Sequence, residues 1–170
     1  ELDDFSFHKE LEMGAFSKHS MYGYELVKNK DLDQSIKQAV LTHHEHADGS
    51  GFPLGVDNKS LNPIQRVIEI VDVYDTLLMR EPGFKRMSPF EVLIHLNEVE
   101  GNKYDPSALL IFTSRLAQTF IQCRVRLNNG QEGKIVLFNK YSILRPLIQV
   151  GSGFVDLALR KDLNIVELLD

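Results

Sequence analysis

The chain has 170 residues, 19 Lys and Arg against 24 Asp and Glu, and a formal net charge of −5. The acid excess sits in residues 1–120, with 12 basic side chains against 19 acidic ones, whereas residues 121–170 carry 7 against 5. This balance excludes a long nucleic-acid duplex as partner, yet it leaves room for a small phosphate ligand at a locally positive centre.

A single cysteine, Cys123, excludes an internal disulfide and fits a reducing, cytoplasmic setting. The apolar runs are too short for a membrane span or secretory signal in this segment. The first residue is Glu, so the sequence is expected to be part of a longer protein.

Residues 8–29 carry Leu11, Ala15, Met21, Leu26 and Val27 among polar residues, which predicts one or two short helices with Gly14 and Gly23 as weak points or close contacts. Asp33 is a helix cap, and Ile36, Ala39, Val40 and His43 then fall on one face of a helix running to about Ala47. That phase puts His43 on the core side. The stretch 48–61 reads as a loop, broken by Gly49, Gly51, Pro53 and Gly55. Asn62-Pro63 opens the next helix, over 63–79, in which Ile64, Val67, Ile68, Val71, Asp75 and Leu78 form a stripe expected to face inward. Asp75 in that stripe requires a hydrogen-bonding partner.

Ser88-Pro89 starts a helix to about Val99, and Asp105-Pro106 another to about Phe120. From Gln122 the period changes to two. Cys123, Val125 and Leu127 alternate with Arg124 and Arg126 before an Asn128-Asn129-Gly130 turn, and further strands are expected at 134–138, 147–150, 153–159 and 164–168. The predicted fold class is mainly α: a helical domain over 1–120 followed by a small β-rich extension over 121–170, read as a packing or dimerisation module.

The chemistry concentrates in His43-His44-Glu45-His46-Ala47-Asp48-Gly49-Ser50-Gly51-Phe52-Pro53. Adjacent histidines on a helix diverge by about 100° around its axis, so they line two sides of a metal cluster more readily than both fill a core. Taken singly, each histidine also suits an ordinary hydrogen-bonded role, and the loop suits a sharp turn in which Asp48 bonds locally and Phe52 fills the core. The alternative is that its glycines let backbone and ligand approach closely beside a metal.

Three blocks together resemble the HD-GYP family of metal-dependent phosphohydrolases, whose best-known activity is hydrolysis of cyclic di-GMP. The family signature His-His-Glu-x-x-Asp-Gly-x-Gly-Tyr-Pro falls on His43 through Pro53. Phe16 through Gly23 resembles the upstream His-Pro-x-x-Gly helix, and Arg66 through Asp75 resembles the Arg-Ile-x-x-x-x-Asp-x-x-Asp helix. The resemblance implies a helical HD-domain bundle, two divalent ions, iron or manganese, held by His19, His43, His44 and Asp72, and a cyclic dinucleotide as substrate. It implies an orienting catalytic role for Asp48 and a phosphate contact for Lys85. It further implies substrate contacts from Gly49, Gly51, Phe52, Pro53 and Arg80, and supporting roles for Gly23, Arg66 and Asp75. A homodimer or another signalling protein is the expected macromolecular partner.

The sequence departs from the family at three places. Phe52 replaces the signature tyrosine and removes a hydroxyl. Glu81 stands where the family has arginine, leaving Arg80 and Lys85 as the phosphate contacts. The paired His-Asp of the family name would lie about ten residues before Glu1. Phe52 and the altered 80–86 segment support a second expectation, a degenerate sensor or interaction domain that binds metal and nucleotide without turnover, while the His-Asp pair is expected upstream in the longer protein.

Overall fold

The structure is a computed structural model that describes residues 18–79, 87–139 and 141–169. Arg80, Glu81 and Lys85, and the expected helical stretch before Lys18, lie outside the described residues. The described chain forms two compact units. One holds the described residues up to Val73 together with Glu100–Ala108; the other holds those of Tyr74–Val99 and from Leu109 onward.

The first unit begins with α1 (His19–Val27) and α2 (Gln34–Thr42). The Asp33 carboxylate accepts from the Ser35 backbone N–H at 2.8 Å and so caps α2. Gly23 lets the two helices approach, since a Cβ there would lie 3.0 Å from Val40 Cγ1. Helix α2 ends at Thr42, five residues before the expected Ala47, and the chain turns at once so that His43 to His46 leave the helix rather than extend it.

Helix α3 (Pro63–Leu78) begins where Asn62 Oδ1 accepts from the Ile64 and Gln65 N–H groups. Its phase corrects the sequence expectation. Ile64, Val67, Val71 and Asp75 are exposed, and the buried positions are Gln65, Glu69, Ile70 and Leu77. Polar side chains occupy the inner face because each finds a partner there. Gln65 Nε2 donates to Thr42 Oγ1 at 2.5 Å while its Oε1 accepts from Asn62 N–H at 2.7 Å, and Glu69 meets His46. Arg66 clamps the start of the helix, donating to the carbonyls of Leu61 and Asn58 and to Asp105.

In the second unit, α4 (Pro89–Ile94) starts with a reciprocal cap between Ser88 and Glu91 and runs into a π-helical turn at His95–Val99. Helix α5 (Pro106–Thr119) follows, and Asp105 accepts from Ala108 N–H at its start. Five strands follow: β1 (Arg124–Leu127), β2 (Glu132–Asn139), β3 (Ser142–Val150), β4 (Gly153–Asp156) and β5 (Ile165–Leu168). They form one antiparallel sheet in the order β4-β3-β2-β1-β5.

The expectation of a mainly α chain is therefore corrected: five helices among the described residues stand beside a five-stranded sheet, and the fold combines α and β. The sheet has its own core. Val125, Leu127, Ile135, Ile148, Leu157 and Ile165 bury one face and pack with Phe90, Leu93, Ala117 and Phe120 of α4, α5 and the turn after it. Arg145 reinforces the long excursion between β4 and β5, donating to the Leu157, Arg160 and Leu163 carbonyls and to Asn164. Among the described residues no helix is long and apolar enough to cross a membrane.

Candidate metal centre

Three rings meet where the start of α1 faces the end of α2. His19 Nε2 lies 2.9 Å from His43 Nε2 and 3.2 Å from His44 Nε2, and the three form a group able to hold a metal ion. On two of the rings the opposite nitrogen faces an oxygen, which fits this use. His43 Nδ1 is 2.9 Å from the Val40 carbonyl, so it carries the proton and leaves a lone pair on Nε2. His44 Nδ1 lies 3.3 Å from Asp72 Oδ2, so a carboxylate stands on the side of that ring away from His19. A carbonyl or carboxylate behind a ligating imidazole is the usual outer arrangement of histidine metal sites.

The spacing fits as well. Ring nitrogens 2.9 and 3.2 Å apart could share one ion at metal–nitrogen distances of about 2.1 Å. Electrostatics favour the neutral, ligating form of at least one ring. Burial, followed by the neighbouring His43, His19 and His46, pushes His44 down to about 3.

The signature loop is folded back on the backbone that carries the histidines. A Cβ on Gly51 would lie 2.4 Å from Glu45 Cα, His44 O and His46 N, so only glycine fits. Phe52 N–H donates to the His44 carbonyl at 3.0 Å. Glu45, fully buried, accepts from the Leu54 and Val56 N–H groups at 2.5 and 3.0 Å and pins the return of the loop. The Phe52 ring stacks on His44 with centroids 4.6 Å apart and 29° between planes, and the Phe52–Pro53 bond is cis. Gly49 has φ +78°, a conformation that favours glycine.

The structure thus brings His19, His43 and His44 together, places Asp72 against the far nitrogen of His44, and lays Phe52 over that same ring. Asp48 is turned to local work: exposed, it accepts from Ser50 N–H and Oγ at 2.9 and 2.6 Å, contacts that hold its carboxyl below the usual range. Asp75 is exposed rather than directed inward. Sequence reasoning missed Glu45, His46 and Glu69. Glu69 had a legible signal, an acid in the apolar run Val67-Ile68-Glu69-Ile70-Val71 three residues before Asp72. It is 1% exposed, its Oε1 is 2.8 Å from His46 Nδ1, and burial raises its carboxyl above the ordinary value.

Residues 9–108, more than half of the chain, match the family described as HD domain. A cyclic di-GMP phosphodiesterase of Pseudomonas aeruginosa is 25% identical over 140 residues, covering 82% of this chain and 34% of that protein. The cyclic di-GMP phosphodiesterase PdeB of Borreliella burgdorferi is 24% identical over 127 residues, 75% of this chain and 34% of the relative. The cyclic di-GMP phosphodiesterase response regulator RpfG of Xanthomonas campestris pv. campestris is 32% identical over 114 residues, 64% of this chain and 30% of the relative. The chain spans about a third of the length of these curated relatives. Among solved structures, a protein from Bdellovibrio bacteriovorus described as HDG"Y"P superposes with a TM-score of 0.51 at 22% identity, over 59% of this chain and 32% of that one, a likeness of fold.

Proposed function

The chain belongs to the HD-GYP family of HD domain proteins, and from that premise we propose that it forms part of a metal-dependent phosphodiesterase acting on cyclic di-GMP or a related cyclic dinucleotide. The observation that carries the proposal is the convergence of His19, His43 and His44, with Val40 O and Asp72 behind two of the rings. These residues fit a divalent ion, and the proposal takes two such ions, iron or manganese, with Asp72 contributing to the centre. When bound, divalent ions lower the pKa of water and neutralise charge on a phosphodiester.

The chain's own residues would do the rest. Val40 O would hold the His43 proton on Nδ1 and leave Nε2 free to ligate, while Asp72 stands beside Nδ1 of His44. Phe52 shields one face of His44 from water. Gly49, Gly51 and Pro53 shape the loop edge beside the rings, where a nucleotide phosphate would approach. Asp48 shapes the same edge through Ser50. Arg80 and Lys85 are proposed as the phosphate contacts.

The test is incubation of the full-length protein, loaded with manganese or iron, with cyclic di-GMP, followed by chromatography of products. Linear dinucleotide or mononucleotide that disappears in a His44→Ala variant is the expected result. Tight nucleotide binding without product would instead favour the sensor reading, for which the missing hydroxyl at Phe52 is the motivating observation. Neither binding nor product across those metals would defeat both.

A further inference from the structure

Glu69 carries a feature that the metal centre as described does not use. It is a buried carboxylate with Oε1 on His46 Nδ1 and Oε2 buried without a hydrogen-bond partner among the described residues. A half-satisfied carboxylate in the interior opposes folding, so its one contact calls for an explanation. That contact joins the signature loop to α3. His46 is two residues beyond His44, its N–H lies under the close approach of Gly51, and its carbonyl accepts from Gly49 N–H at 2.8 Å. Its ring meets buried Tyr104 edge-on at 6.2 Å. Glu69 is one helical turn before Asp72 on the same side of α3. The loop and the helix are therefore tied by His44 to Asp72 and by His46 to Glu69.

We propose that Glu69 is a positioning residue for the histidine centre, acting through His46 to set the separation of the His43–His44 segment from the helix that carries Asp72. The proposal rests on the metal-site reading above. Without Glu69, the segment beyond His44 would lose its tie to α3, leaving the His44–Asp72 contact at 3.3 Å and the Gln65–Thr42 bond before it. The His44 ring would then lose its fixed orientation toward His19.

The probe is cobalt(II) alone, titrated into the full-length protein by calorimetry, with the visible absorption of the bound ion recorded alongside. Glu69→Ala should weaken cobalt binding by up to about tenfold, since Glu69 acts through His46, one step beyond the direct partners of the ligands, whose loss costs about tenfold or more, and should change the visible bands. Glu69→Gln keeps an acceptor oxygen for His46 Nδ1 and should restore both readouts. His46→Ala removes the same tie from the loop side and should reproduce the Glu69→Ala spectrum, which keeps the test decisive if Glu69→Ala fails to fold. Wild-type binding with unchanged affinity and bands in the folded alanine variants would overturn the positioning role alone. Failure of the wild-type protein to bind cobalt would overturn the metal-site reading and this inference with it.

Discussion

At the scale of single residues, the centre is governed by which nitrogen of each imidazole holds its proton. His43 and His44 each place one nitrogen against an oxygen and the other toward His19, an arrangement the sequence could not display because it depends on Val40 O and on a carboxylate 28 positions further along the chain. The histidines themselves were legible, since their types and order match a family pattern. Asp75 was not, because apolar spacing alone suggested an inward stripe and the buried polar pairs of Gln65 and Glu69 took the inner face instead.

A pH dependence follows from His44. Its folded-state value of about 3 lies below the ordinary 6.5, so below pH 6.5 the unfolded chain binds a proton that the metal-free folded chain resists. Stability from this group is fully present above 6.5 and is lost as pH falls from 6.5 toward about 3. Glu69, shifted upward, acts in the opposite sense. Urea denaturation of the metal-free protein at several pH values in that window should therefore show a shallower acid-side loss in His44→Ala than in wild type. Equal slopes would reject the assignment.

Phe52 offers a second residue-level outcome. Its ring stacks on His44, so Phe52→Tyr would place a hydroxyl on a ring that already covers the centre. The substitution should tighten cyclic dinucleotide binding by about 0.5 to 1.5 kcal/mol, the usual net value of one hydrogen bond. Calorimetric titration of the metal-loaded variant measures this, and unchanged affinity would mean that the ring edge does not reach the ligand.

At the scale of elements, the loop after α2 is held by a clasp that motif matching leaves unexplained. Glu45 is invisible to a reading based on ligand types, yet it is fully buried and accepts two backbone N–H groups from the far side of the loop. Glu45→Ala removes both acceptors and should cost about 2 to 5 kcal/mol, from two charge-assisted bonds to the main chain; Glu45→Gln should recover part of that. Chemical denaturation gives the values, and a loss below about 0.5 kcal/mol in Glu45→Ala would show that water replaces the carboxylate freely. Helix starts at Asp33, Asn62-Pro63, Ser88-Pro89 and Asp105-Pro106 were legible because capping is local chemistry. The end of α2 was not, because the chain leaves the helix at Thr42 to make the turn that aims His43 and His44.

For the whole molecule, the alternation after Gln122 announced strands, but only tertiary pairing shows that they join into a single five-stranded sheet with a core of its own. Ser142 to Pro146 escaped the reading because proline interrupts the pattern there, although the segment belongs to β3. Family membership rests on residues 9–108, and the relatives that match are about three times as long as the chain's coverage of them. The centre is therefore best tested first for the property its own residues supply, which is ion binding.

X-ray absorption of the manganese-loaded protein measures that property most directly. Imidazole scattering from histidine nitrogens is expected at about 2.1 to 2.2 Å, clearly reduced in His43→Ala and in His19→Ala while both variants remain folded. Manganese bound with no imidazole signal, or a signal unaltered by either substitution, would contradict it.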